Sequence, residues 1–108
     1  MSDAAFFVPD LAAAAPRVPR GIHSQTLYDG PDLRLVLFAF APGEELSEHT
    51  AARPAVVHVL DGEGDAVVGG TAYELSAGTW FRMPARMPHS IRARTPLRVA
   101  LYLLPGAD

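Results

Sequence analysis

The stretch SEHTAARPAVVHVLDGEG, residues 47–64, places two histidines, His49 and His58, nine positions apart. Imidazole ligates transition metals through an unprotonated ring nitrogen, and it takes up or releases a proton near neutral pH. It also serves as a satisfied polar spot in an apolar wall, so the pair reads equally as a metal strand, a catalytic strand or a piece of core. The chain of 108 residues has no cysteine. That excludes disulfides, thiolate metal sites and thiol nucleophiles. His23, near the start of the first apolar run, reads as polar surface.

Composition narrows the partners. All nine basic residues are arginine, and the net charge is −3. The arginines are scattered, whereas phosphate backbones require clustered cations, so no nucleic-acid partner is expected. The abundance of Ala, Pro and Gly points to a GC-rich bacterial genome. MSDAAFFVPDLAAAAPRVPRG lacks the basic start of a signal peptide, and Pro9 and Asp10 interrupt its apolar part. No run approaches the roughly 20 apolar residues that span a bilayer. The expectation is a cytoplasmic protein with no membrane contact.

The elements that must hold the histidines are short. From residue 22 the apolar runs are HSQTLY, LRLVLFAFA, AVVHVLD, DAVVG, TAYEL, TWFRMP, HSIRAR and LRVALYLL. They are separated by DGPD, APGEE, DGEG, VGGT, SAGT, PARMP and RTP. Regular turns between β-branched and aromatic runs predict an all-β sandwich or barrel, with Gly69–Gly70 as a hairpin turn. Residues 1–21, broken by Pro9, Pro16 and Pro19, read as an irregular N-terminal arm, and residues 22–108 as the domain. Asp10 would cap one helical turn in DLAAAA. LRLVLFAF and LRVALYLL are apolar at nearly every position, which implies burial on both faces. A second subunit or the arm, with its Phe6–Val8, would cover the outer face, and a homodimer is expected.

The order of these turns resembles the two motifs of the cupin superfamily, G-x5-H-x-H-x3-4-E-x6-G and G-x5-P-x-G-x2-H-x3-N. Gly43, His49 and Gly62 fit the first, and Gly78, Pro84 and His89 fit the second. The resemblance covers residues 22–104 and implies an antiparallel jelly-roll barrel, usually dimeric. In metal-binding members, three histidines and a glutamate hold the ion. Here the second histidine of motif 1 falls on Ala51, its glutamate on Ala55, the motif-2 glycine on Arg86 and the final asparagine on Ala93. Only His49 and His89 remain, as metal ligands or as an acid–base pair. An implied cofactor is one divalent transition metal, Fe, Mn, Zn or Ni, held by fewer ligands than zinc or the iron facial triad normally takes.

Alternation along a strand would place positions 49, 51, 55, 57 and 59 on one inward face. The predicted cavity wall is then His49, Ala51, Ala55, Val57 and Val59, with Ile91 and Ala93 from motif 2 and Phe40 from the second run. Phe38, Trp80, Phe81, Met83 and Met87 would contribute, their faces unassigned. The two alanines would leave space beside the histidines. His58 falls on the opposite face unless a β-bulge reverses it, in which case it would be a further ligand. Glu45 shares parity with His49. Arg53 sits in the loop at the mouth, where it would meet an anionic group or solvent. Arg82, Arg92 and Arg94 read as outward charges. The expected ligand is a small, mostly apolar molecule with one polar handle, a carbonyl, phenol or carboxylate. Three functions fit: a cupin-type oxygenase or isomerase, a binding or sensing module without chemistry, and a structural dimer.

Overall fold

The computed structural model describes residues 4–106. Along them run α1 (Leu11–Ala14), β1 (Ile22–Asp29), β2 (Arg34–Phe40), β3 (Glu45–His49), β4 (Ala55–Asp61), β5 (Gly64–Val68), β6 (Thr71–Leu75), β7 (Trp80–Met83), β8 (His89–Ala93) and β9 (Leu97–Leu103). The strands form two antiparallel sheets, ordered β1-β2-β9-β4-β7 and β3-β8-β5-β6. This is the all-β architecture that the turn spacing predicts, in the jelly-roll form that the resemblance implies. No helix among the described residues is long and apolar enough to cross a membrane.

The core lies between the sheets. Strict alternation in β4 sends Ala55, Val57 and Val59 inward, where they are 0–1% exposed, against Leu97, Val99, Leu75 and Ile91. Each buried valine, leucine or isoleucine there stabilises the fold by roughly 1.5–3 kcal/mol. Two turns show why the motif residues are what they are. Gly69 and Gly70, at φ 57° and 83°, close the β5–β6 hairpin with Val68 opposite Thr71. This two-residue turn, with φ positive at both positions, matches the strand twist. Gly62 has φ 95°, and a Cβ there would collide with the Pro96 carbonyl oxygen. Only glycine lets these backbones meet.

A second apolar cluster covers the outer face of the five-stranded sheet. Ala15 packs on Leu35, Leu37 and Ala100, with Leu11, Ala14, Leu60 and Tyr102 around them. The arm thus buries the second face of β2 and β9. Asp10 caps α1 by accepting from the Ala13 amide at 3.2 Å. Arg98 then fastens the turn to the sheet. Its Nη1 donates to the carbonyls of Ala12 (2.8 Å) and Ala15 (3.0 Å), and its Nη2 to Asp61 Oδ2 (2.7 Å). The Ala15 carbonyl is one that the helix end leaves open, and that of Ala12 also accepts from the Ala15 amide at 3.3 Å. Farther out, the Phe6 ring lies 5.0 Å from that of Tyr28, while Phe7 is 82% exposed. The arm leaves a strip uncovered, formed by Val56, His58, Trp80, Tyr102, Leu33 and Leu104.

Candidate functional site

His49 ends β3 and His89 begins β8, and the two are register partners. Their ring centroids are 4.2 Å apart and the ring planes are inclined by 59°. A β-bulge between Leu46 and His49 prepares this contact. It turns both Leu46 and His49 toward the interior although they are an odd number of residues apart. The rings sit at one end of a cavity of about 40 Å³ between the sheets. The facing sheet supplies Phe38 and Phe40 from β2, Val57 from β4, Met83 from β7, and Val99 and Leu101 from β9, while Leu46 and Ile91 complete the wall. Phe40, Val57, Met83, Ile91 and Val99 are buried, whereas Phe38, Leu46 and Leu101 are half-buried and mark the mouth. His49 is exposed and His89 is 7% exposed.

The two rings are held alike. Nδ1 of His49 lies 3.0 Å from the Ser47 carbonyl oxygen, and Nδ1 of His89 lies 3.0 Å from that of Met87. A carbonyl oxygen only accepts, so each Nδ1 carries the hydrogen and donates it. Each ring therefore turns its Nε2 edge away from the backbone carbonyl that holds Nδ1. Burial pushes His89 below the usual imidazole range; the Met87 carbonyl opposes this and the neighbouring His49 adds to it. The site is thus two adjacent imidazoles in the wall of an otherwise hydrocarbon-lined cavity.

Residues 36–104 match the Cupin domain family. The chain belongs to the cupin family. Solved structures agree. It resembles a conserved protein of unknown function from Streptococcus pyogenes, with 24% identity, 97% of this chain and 92% of that one covered, and TM-score 0.83. It resembles a Cupin 2 conserved barrel domain protein from Leptotrichia buccalis at 34% identity, covering 87% of this chain and 46% of that one, with TM-score 0.79. KdgF from Halomonas sp. is 27% identical over 82% of each chain, with TM-score 0.72. None of the curated proteins matches the chain.

The metal that the cupin family implies does not fit these residues. Among the described residues no group of three or more His, Cys, Asp or Glu is gathered to hold an ion. Two imidazoles fall short of the three protein ligands that zinc and non-haem iron normally take. Ala55 is core, and Ala51 offers only a backbone carbonyl, which accepts from the Arg86 amide at 2.7 Å.

Several sequence expectations require correction. Positions 49, 51 and 55 do not share a strand: β3 ends at His49, β4 begins at Ala55 in the other sheet, and Ala51 lies in the connecting loop. Phe40, Val57 and Ile91 line the cavity as expected from their faces, but Ala51, Ala55, Val59, Ala93 and Arg53 do not. Ala55, Val59 and Ala93 are close-packed core beyond it, so the alanines create no space. Arg53 meets no ligand. Its Nε donates to the Leu104 carbonyl at 2.6 Å and its Nη2 to that of Leu103 at 3.4 Å, pinning the loop to the end of β9. His58 lies on the outer face, in the strip with Trp80 and Tyr102. It is no ligand of this cavity, because no bulge falls between Ala55 and Val59. Glu45 is exposed, because the β3 bulge reverses its parity with His49. Phe81 and Met87 pack against the core without reaching the cavity, and Trp80 is 61% exposed. Leu46, Val99 and Leu101 were missed. The last two are readable from alternation along β9; Leu46 is hidden by the bulge.

Proposed function

We propose that this cupin binds a small, mostly apolar molecule whose polar group is held between His49 and His89 at the mouth of the interior cavity. The observation that carries this reading is the contact of the two motif histidines, 4.2 Å between ring centres, in a cavity whose other walls are apolar. Ligand sites generally combine apolar walls with a few convergent polar groups. At about 40 Å³ the cavity is far below the roughly 300–1,000 Å³ of sites that engulf a drug-sized molecule. It takes a leading edge, and the rest of the ligand lies against the mouth.

Binding is the primary reading. Proton transfer is the second, favoured by His89: a buried ring kept neutral at pH 7 is a competent base for a proton next to a carbonyl. The metal-dependent oxygenase or isomerase is disfavoured by the donor count above. A homodimer belongs to the reading as well, because the strip around Val56, His58 and Tyr102 is an apolar surface that the arm leaves open.

The test is ligand-observed NMR with a library of monocyclic fragments, repeated with His49→Ala and His89→Ala. The reading expects hits that perturb the ring signals of His49 and His89 and are lost in both variants. Hits that bind both variants as tightly as the parent, or no hit at all that touches either ring, contradict it.

A further inference from the structure

Along one side the two sheets face each other without pairing. β7 ends the five-stranded sheet and β6 ends the four-stranded one, so each has a hydrogen-bonded neighbour on one side only. Between them runs a groove of about 470 Å³, with Val68, Tyr73, Phe81, Met87, Trp80 and Arg82 in its walls. It shares no residue with the histidine cavity. The side chains of β7 point two ways. Phe81 is the register partner of buried Val57 and turns inward, to the floor of the groove. Trp80 and Arg82 are opposite His58 and Val56 and stand on the outer face, where Trp80 ends the strip that the arm leaves open. Trp80 is 61% exposed. Arg82 is exposed too, and among the described residues its guanidinium has no ion-pair or hydrogen-bond partner.

The backbone of β7 is set for a further strand. The Thr79 carbonyl accepts from the Val59 amide at 2.8 Å. Backbone groups alternate in direction along a strand, so those of Phe81 and Met83 also turn to β4, while those of Trp80 and Arg82 turn to the free edge. Resting on the homodimer proposed above, we infer that β7 pairs antiparallel with β7 of a second copy, about a twofold axis at Phe81. In that register Trp80 of each copy is opposite Arg82 of the other, and each such pair exchanges both of its N–H···O bonds. The guanidinium lies over the indole face, a cation–π contact that symmetry makes twice. On the inner side the two Phe81 rings stand next to each other in the joined grooves. A charge on an edge strand ordinarily deters pairing; here it selects the register. An axis at Arg82 would bring two guanidinium groups together, and an axis at Trp80 would set each Arg82 opposite Gly78.

The test uses the full chain, in sedimentation equilibrium and in fluorescence on dilution. Trp80 is the single tryptophan, so emission reports on this edge alone. The inference expects a dimer whose emission moves to longer wavelength as it dissociates. Trp80→Ala and Arg82→Ala, whose changed side chains are exposed, should each weaken the dimer about tenfold in sedimentation. The double exchange of Trp80→Arg with Arg82→Trp should restore it, because the axis sets the two positions opposite each other. A dimer of parental affinity in both single variants, or a double exchange that stays as weak as they are, overturns the inference and leaves the homodimer standing. A chain that is monomeric at every concentration overturns this inference and the homodimer together, while the fragment experiment judges the histidine cavity independently.

Discussion

Arg98 and His89 are both polar groups set into apolar surroundings, on opposite faces of the fold. Arg98 stands under the arm, with its side chain 17% exposed. Its two terminal nitrogens make three hydrogen bonds, to two arm carbonyls and to Asp61, and its Nε alone has no partner. The His89 side chain makes one bond, through Nδ1, to the Met87 carbonyl in the turn before β8. The first residue spends its bonding capacity on holding the chain together. The second keeps its Nε2 in reserve beside a cavity.

Substitutions at the two places should therefore behave differently. Arg98→Ala should lower unfolding stability by about 2–4 kcal/mol in urea titrations, because it removes both bonds that hold the arm and strands the Ala15 carbonyl. His89→Leu should change stability by less than about 1 kcal/mol, since a desolvated imidazole is exchanged for a hydrocarbon of similar volume, yet it should abolish ligand binding. A large loss of stability in the second variant would make His89 structural and erase the contrast.

Acid should act on both places, in separate windows. Burial lowers the pKa of His89 from 6.5, so the unfolded chain takes up the proton first. The contribution of neutral His89 is fully present above pH 6.5 and is lost as pH falls through its depressed folded value. Asp61 is held below 3.8, chiefly by its bond from Arg98. Its contribution is present above pH 3.8 and is lost as pH falls through the lowered folded value. Urea titrations at stepped pH should show a first decline below pH 6.5, removed by His89→Leu, and a second in strong acid, removed by Asp61→Asn. The smallest effect is expected at Arg86, which holds φ 68° at the position of the motif glycine. Arg86→Gly should relieve that strain and raise stability by about 0.5–1 kcal/mol. It should leave ligand binding unchanged, because the Arg86 side chain does not line the cavity.

The sequence told the outer region and the inner region apart unevenly. Asp10 followed by alanines, and two strands apolar on both faces, announced a capped turn and a covered sheet, which the arm supplies. Eight of the strands stood out as apolar runs. β3 did not, because ELSEH has one apolar residue and only Leu46 touches the core. Missing it merged β3, the loop and β4 into one imagined strand and put Ala51 and Arg53 at the wrong place. Motif spacing still brought His49 and His89 together, because the glycines and Pro84 fix turns rather than surfaces. The bulge that aims His49, and the carbonyls that set both tautomers, arise from backbone geometry that side-chain alternation does not encode. Arg98 gave no signal either, since its partners lie 37 residues or more away in sequence.

The central claim is that two imidazoles, each hydrogen-bonded through Nδ1 to a backbone carbonyl, meet at one cavity. Long-range ¹H–¹⁵N correlation spectra of the histidine rings at pH 7.5 test it directly. The account predicts an N–H-type signal from Nδ1 and a lone-pair-type signal from Nε2 in both His49 and His89, with cross-ring NOEs between them. An Nε2–H tautomer in either ring, or no contact between the rings, would contradict it.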